Sequence, residues 1–339
     1  MTDFAEIHDE LRSVAAGLLA KAAVDWSLLV QAGWVGLDVP EALGGAGATF
    51  AEVAVICEEL GRAAATTGYL GGAVLGIGAL LAVGPSASRD RLLTEVVEGH
   101  TRVALAVPGD MSPGGPEPPF GVAADGRVYG RAAFVPDAAD AHRLLLPARD
   151  AAGATVLVEA GSGVAVSEQS VLDETRRLAI VVADGCEAHD IWRLDDMGAL
   201  ARRAALAVAC DSLGVAQAML DATVSYAGMR QQFGRPIGSF QAVKHACADM
   251  LVRVTVARQL VTGAVNDPSD ETVAKAKSCA TEAAVDIAGK AMQLHGGIGY
   301  TWESGIHTYL KRAALNRSLF GSPREYRNVL AARYRSVWV

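Results

Sequence analysis

The sequence predicts an α+β protein with a β-domain set between two helical parts, on three observations. Apolar residues recur at helical spacing through the first hundred residues. Short runs rich in Val, Leu and Thr, broken by Gly and Pro, then fill residues 101–190, and the helical period returns from Asp195 onward. Helices, strands and helices in that order mark an architecture with its strands segregated. The divisions that follow are an N-terminal helical domain over 1–100, a middle β-domain over 101–192 and a C-terminal helical domain over 193–339.

The elements follow in chain order. Phe4, Ile7, Leu11, Val14 and Leu18 mark a first helix, and a short second one is predicted near 25–32, ahead of the turn Gly33–Pro40. Thr49, with Glu52 three residues on, has the pattern of a capping box and opens a helix to about Arg62. Helices are predicted over 66–83 and 86–98. The first contains the most apolar stretch, Tyr69–Val83, which is Gly-rich and shorter than the ~20 residues that span a bilayer; it reads as a buried helix. Strands are predicted at Val103–Val107, Gly121–Ala124, Arg127–Phe134, Arg143–Pro147, Thr155–Glu159, Val164–Ser167 and Leu178–Ala183, paired as a small antiparallel domain. Pro108–Pro119 holds five prolines and reads as a loop. Helices near 197–229, 238–265, 270–294 and 323–335 complete a four-helix bundle.

Composition excludes several function classes. A net charge of −8 and a pI near 5.4 argue against a nucleic acid or an anionic membrane as partner, because either demands a basic face. The first ten residues show no basic and apolar leader, which predicts a cytoplasmic protein. Cys57, Cys186, Cys210, Cys247 and Cys279 form no Cys-x-x-Cys pair, so no metal site is expected and buried free thiols are.

Two C-terminal segments carry more than fold class. Tyr226-Ala-Gly-Met-Arg230-Gln-Gln-Phe233-Gly-Arg-Pro-Ile-Gly-Ser-Phe-Gln241 pairs an arginine able to fork onto a pyrophosphate with aromatic and amide neighbours. Gln293-Leu294-His295-Gly296-Gly297-Ile-Gly-Tyr-Thr-Trp-Glu303 has a glycine pair that lets backbone amides approach a ligand. Taken singly, the first reads as a solvated helix end and the second as a helix C-cap. Both segments, in this order, resemble signatures of the acyl-CoA dehydrogenase family. Gly33–Pro40, Gly44-Gly45 and Glu58-Glu59-Leu60-Gly61 extend the resemblance over nearly the whole chain.

The resemblance implies a fold that assembles as dimers of dimers, binds FAD at a subunit interface and oxidises an acyl-CoA thioester to its 2,3-enoyl form. It assigns cofactor binding to Arg230, Phe233, Gln241, Gln293, Leu294, Gly296 and Gly297, all of them matched here. The features that would act within the chain are replaced. The flavin-facing loop reads Ala106-Val-Pro-Gly-Asp-Met-Ser-Pro113 without its Gly-Ser-Asp, and the Trp-Ile-Thr-Asn strand reads Phe134-Val-Pro-Asp137. The catalytic glutamate position is Phe320, and the alternative position on an earlier helix is Ala204. Proton abstraction α to a thioester needs a base within reach. Asp211 and Glu303 are the remaining acids nearby. Asp211 is expected to face solvent or a partner, and Glu303 to belong to its turn.

Loss of one set beside retention of the other resembles the short, base-lacking subunit of actinobacterial α2β2 enzymes acting on steroid side-chain CoA thioesters. The implied partners are a full-length catalytic subunit, an acyl-CoA and an electron-transfer flavoprotein. The rivals are a self-sufficient homotetramer with an unrecognised base and a structural paralogue that binds no flavin. His245 is expected to be packed or capping, and His295 structural. Trp26, Trp34, Trp192, Trp302 and Trp338 are expected in core or interface packing, and Arg324, Arg327, Arg333 and Arg335 on a solvated face.

Overall fold

A computed structural model describes residues 4–20, 24–113 and 117–335; Trp338 and the middle of the proline-rich loop lie outside them. The N-terminal part comprises α1 (Phe4–Leu19), α2 (Trp26–Gln31), α3 (Phe50–Arg62), a π-helical turn over Tyr69–Gly76 running into α4 (Ile77–Ala82), and α5 (Ala87–Val97). The capping box forms as expected. Thr49 Oγ1 accepts from Ala51 N–H, and Glu52 Oε2 accepts from Thr49 N–H at 2.8 Å. The Tyr69–Val83 run is almost wholly buried, and its first half is wound as π-helix rather than α-helix. Gly71 lies there against the β-domain, where a Cβ would come within 2.4 Å of Pro136 O.

The β-domain holds β1 (Val103–Leu105), β2 (Phe120–Val122), β3 (Val128–Pro136), β4 (Arg143–Arg149), β5 (Thr155–Ala160), β6 (Val164–Gln169), β7 (Leu178–Cys186) and β8 (Ala188–Arg193). The order across the sheet is β6-β7-β3-β2-β4-β5-β8. The expected all-antiparallel pairing is corrected: β1 and β2 both run parallel to β4. Leu105 aligns with Leu145 and Phe120 with Ala148, so the two short strands occupy successive stretches of one edge of β4. The proline-rich segment is the excursion between them, outside the ladder, where a missing N–H costs no sheet hydrogen bond. β8 has little signal in the sequence. Its alternation of buried and exposed residues is short and follows β7 after one residue, with no turn signal between.

The C-terminal part comprises α6 (Met197–Met229), a two-residue hairpin of β9 (Gln231–Gln232) and β10 (Arg235–Pro236), α7 (Gln241–Asn266), α8 (Asp270–His295), α9 (Ile306–Ser318) and α10 (Pro323–Arg335). Five helices replace the four expected, because α9 has few apolar positions to mark it. The bundle centres on α6 and α8, with α3 crossing α6. That crossing is glycine-dependent on both sides. A Cβ on Gly61 would come within 1.9 Å of Asp211 O, and one on Gly214 within 1.9 Å of Glu58 O. The main core is continuous through both helical parts and one face of the sheet, and a second, smaller core fills the sheet's other side.

Candidate functional site

One end of the bundle gathers the end of α6, the start of α7 and the end of α8. Arg230 ends α6, with its N–H bonded to Tyr226 O at 2.8 Å, and Ile237 N–H returns to Arg230 O at 2.8 Å. Between them Phe233 (φ +54) and Gly234 (φ +77) turn the hairpin. Positive φ at both central residues is the mark of a type I′ turn, whose twist suits two flanking strands. The turn holds Phe233 out into solvent at 91% exposure. Phe240 meets Phe233 edge-on at 6.1 Å, and Arg235 lies 4.2 Å above the Phe240 ring. Gln241 opens α7 and is exposed.

Gln293, Gly296 and Gly297 form the facing side. Gln293 is exposed and accepts from Lys290 at 3.0 Å, while Leu294 is half-buried against the core. Gly296 has φ +62 and ψ −142, a conformation that belongs essentially to glycine. A Cβ on either glycine would meet nothing within 4 Å, so their outer side is open. Arg230 makes no ion pair among the described residues. Met229, Ile298, Tyr300 and Trp302 add exposed apolar surface around this end. A pyrophosphate-bearing ligand would find here an unspent guanidinium, exposed amides and an open glycine turn.

The other candidate region is filled by the chain's own residues. Phe320 is 1% exposed in the main core, held at φ +57. Its N–H donates to Gly109 O at 2.6 Å, its carbonyl accepts from Tyr326 Oη at 2.8 Å, and Gly109 N–H donates to Ala133 O at 2.9 Å. The loop 107–113 is thereby laid on the turn after α9. Ser112 Oγ donates to Glu325 at 2.6 Å, and Leu319 and Phe134 close around Gly109. Ala204 is fully buried within α6. Lys277, on α8 and fully buried, donates to Asn316 O at 2.9 Å and Gly321 O at 3.0 Å, which ties the Phe320 turn to the bundle. Burial pushes its ammonium down to about 7, against the opposing charge of Glu325.

Asp211 corrects its expectation. It is 4% exposed and accepts from Arg312 in a two-pronged pair at 3.0 and 2.5 Å, from Arg176 at 3.0 Å and from Asn316 at 2.6 Å. Burial alone would raise its carboxyl; the two arginines and the hydrogen bonds outweigh that and hold it at about 2. Such a carboxylate is a fixed anion with its lone pairs in use. Glu303 is exposed in its turn, and its carboxyl is lowered by local hydrogen bonds. His245 is exposed rather than packed, within 3.5 Å of Gln241. His295 is buried. Of the tryptophans, Trp26, Trp34 and Trp192 are core, whereas Trp302 is 70% exposed. Cys247 and Cys279 are only half-buried. On α10, Arg327 pairs with Glu282 and Arg333 with Glu271.

Asp137 carries a signal that sequence reasoning misses. It stands at φ +57, buried, with Oδ2 accepting from Gly71 N–H at 2.7 Å, beside a cavity of about 150 Å³ also lined by Trp26 and Arg102. Burial raises its carboxyl to about 6. Between the unfolded value near 3.8 and 6, the folded chain holds a proton that the unfolded chain has released. Stability is therefore expected to fall as pH rises through that window, by up to about 3 kcal/mol, and to level off above it. Asp137→Asn keeps the acceptor and removes the charge. Thermal melts at pH 5 and 7.5 are expected to show a smaller loss for this variant than for the wild type; equal losses would exclude the assignment.

Comparison with known proteins adds three findings. Family models described as acyl-CoA dehydrogenase N-terminal and C-terminal domains match residues 3–100 and 197–334. Acyl-CoA dehydrogenase IpdE2 of Mycolicibacterium smegmatis is 36% identical over 324 residues, covering 94% of this chain and 92% of that protein. The ChsE4-ChsE5 complex of Mycobacterium tuberculosis and a variant of the Tcur3481-Tcur3483 steroid ACAD superpose with TM-scores of 0.86 and 0.84. Each is 27% identical; the matches cover 97% of both chains for the first, and 98% of this chain and 99% of the other for the second.

Proposed function

This chain belongs to the acyl-CoA dehydrogenase family, and on that premise we propose that it is one subunit of a two-chain dehydrogenase. It supplies the cradle for the adenosine and pyrophosphate of an FAD, and a partner dehydrogenase subunit supplies the flavin pocket and the carboxylate base. The observation that carries the reading is Phe320, a buried phenyl ring at the position expected for the base. A hydrocarbon ring takes no proton. The second candidate position, Ala204, is equally inert, and Asp211 is committed to Arg312 and Arg176. A self-sufficient homotetramer would need a base other than these.

The residues present fit the cofactor on its phosphate side, where Arg230 has no ion-pair partner among the described residues and the Gly296-Gly297 turn is open. When bound, FAD supplies hydride acceptance. Arg230 would bind the dianion through forked donors, and Gln241 and Gln293 would orient it through neutral hydrogen bonds. Phe233, exposed at the tip of its turn, would present an apolar face to the partner or the cofactor. The exposed Met229, Tyr300 and Trp302 suit an interface, since large aromatics and Met are enriched at interface cores. Two of the solved relatives, ChsE4-ChsE5 and Tcur3481-Tcur3483, carry the names of two proteins each, which supports a heteromer. A steroid side-chain CoA thioester is the proposed substrate class, since the Tcur3481-Tcur3483 relative is a steroid ACAD, with an electron-transfer flavoprotein as acceptor.

The test is flavin stoichiometry, by absorbance against protein mass, for the chain expressed alone and with a catalytic partner. Colourless protein alone and a yellow complex with one FAD per pair of unlike chains are expected. A yellow, active homotetramer would overturn the reading.

A further inference from the structure

The two segments of the cradle are far apart in sequence, and an aromatic contact joins them. Tyr226, one turn before the end of α6, stacks on His295, the last residue of α8, with ring centroids 4.3 Å apart and planes 23° from parallel. Tyr226 Oη also donates to His295 O at 3.4 Å. His295 Nδ1 lies 2.8 Å from Ala291 O; a carbonyl only accepts, so Nδ1 carries the proton and the ring is held in one orientation. Gly299 folds the following turn back over the pair: a Cβ there would come within 3.1 Å of His295 Cβ and 2.6 Å of Met292 O.

The backbone of each residue belongs to one half of the cradle. Arg230 N–H donates to Tyr226 O at 2.8 Å, so the arginine's backbone is tied to the residue that stacks. Gly296 follows His295 directly, and its N–H caps α8 on Gln293 O. The stack therefore joins the segment that carries the guanidinium to the segment that carries the glycine turn. Neither helix terminus alone sets the distance between them.

We propose that Tyr226 and His295 are positioning residues of the FAD cradle, whose stack sets Arg230 in register with Gly296-Gly297. The inference rests on the reading that these segments hold FAD. It asks the two rings to touch each other and not the cofactor.

The experiment uses this chain assembled with its catalytic partner, stripped of flavin and titrated with FAD, with assembly checked by mass. Tyr226→Leu is expected to weaken FAD binding about 3- to 10-fold, the scale of an aromatic pair. Turnover at saturating FAD and KM for acyl-CoA are expected to stay within twofold. Tyr226→Phe, which keeps the ring and loses the hydroxyl, is expected to return FAD affinity to within twofold of wild type. Unchanged affinity in Tyr226→Leu, an equal loss in Tyr226→Phe, or a fall in turnover at saturating FAD would overturn the proposal. So would failure of both Tyr226→Leu and His295→Gln to assemble, since the stack would then be purely structural. Arg230→Ala separates the two levels. If it binds FAD as tightly as wild type, the cradle reading fails; if it loses FAD while Tyr226→Leu does not, only the stack fails.

Discussion

Asp211→Ala is expected to destabilise the chain by about 3–5 kcal/mol, the cost of leaving a buried cation without its partner. Arg312 is 2% exposed and also donates to Ala65 O and Thr175 Oγ1, each at 2.9 Å. Arg176 reaches the same carboxylate from the strand side, and Asn316 from α9. The centre thus pins the N-terminal helices, the β-domain and the bundle at one point, and its loss should loosen all three together. Differential scanning calorimetry should show one transition lowered by roughly 4–7 °C, on the unfolding entropy of a chain this long. Combining Asp211→Ala with Arg312→Ala should cost clearly less than the sum of the two, since the second change removes the more buried of the two stranded charges. Additive losses would show that the pair is not the coupled unit its geometry describes. The sign with pH also follows. A carboxyl held at about 2 contributes stability that is present above its unfolded value near 3.8 and is lost as pH falls toward 2.

Phe320→Ala is expected to cost about 3–5 kcal/mol as well, by emptying the space of a fully buried phenyl ring. The consequence for catalysis should be the opposite of what the same position does in a base-bearing chain. In the assembled two-chain enzyme, turnover per bound FAD should stay within twofold, because the ring is buried in the main core and takes part in no proton transfer. Urea unfolding of the chain, beside turnover of the complex, separates the two effects. A hundredfold fall in turnover per FAD in a complex that is still folded would put Phe320 at a reacting centre and end the shared-site reading.

The backbone at and near this position is strained at several residues. Phe134, Asp137 and Phe320 all stand at positive φ, which costs a non-glycine residue about 1–2 kcal/mol in steric strain. The hydrogen bonds Phe320 N–H to Gly109 O and Gly109 N–H to Ala133 O tie the Phe320 turn to the strand beside Phe134, and Asp137 N–H donates to Arg177 O. Leu319 lies in the main core, with Phe134 and Met111 packed against it. The residue pattern carries no sign of these strained turns.

Several elements are legible from residues alone, for reasons local to each. The Thr49 cap is written in Thr49 and Glu52, three residues apart, and the first helix in the spacing of Phe4 to Leu18. The motif pair at Arg230 and at Gly296-Gly297 reads directly off the chain, and so do the phenylalanine at 320 and the alanine at 204. These signals span a few residues, over which backbone dihedrals and side-chain periodicity act directly.

Tertiary structure alone decided the rest. Asp211 looks like an exposed helix acid until Arg176, Arg312 and Asn316, all distant in sequence, close around it. β1 and β2 look like hairpin strands until both align along one edge of β4. Tyr226 and His295 look like separate motif residues until α6 and α8 bring their rings to 4.3 Å. Charge pairing, strand registry and ring stacking depend on distances between remote segments. Those distances are set by how helices and sheet pack, through contacts such as the Gly61 and Gly214 crossing, and no local pattern of residues encodes them.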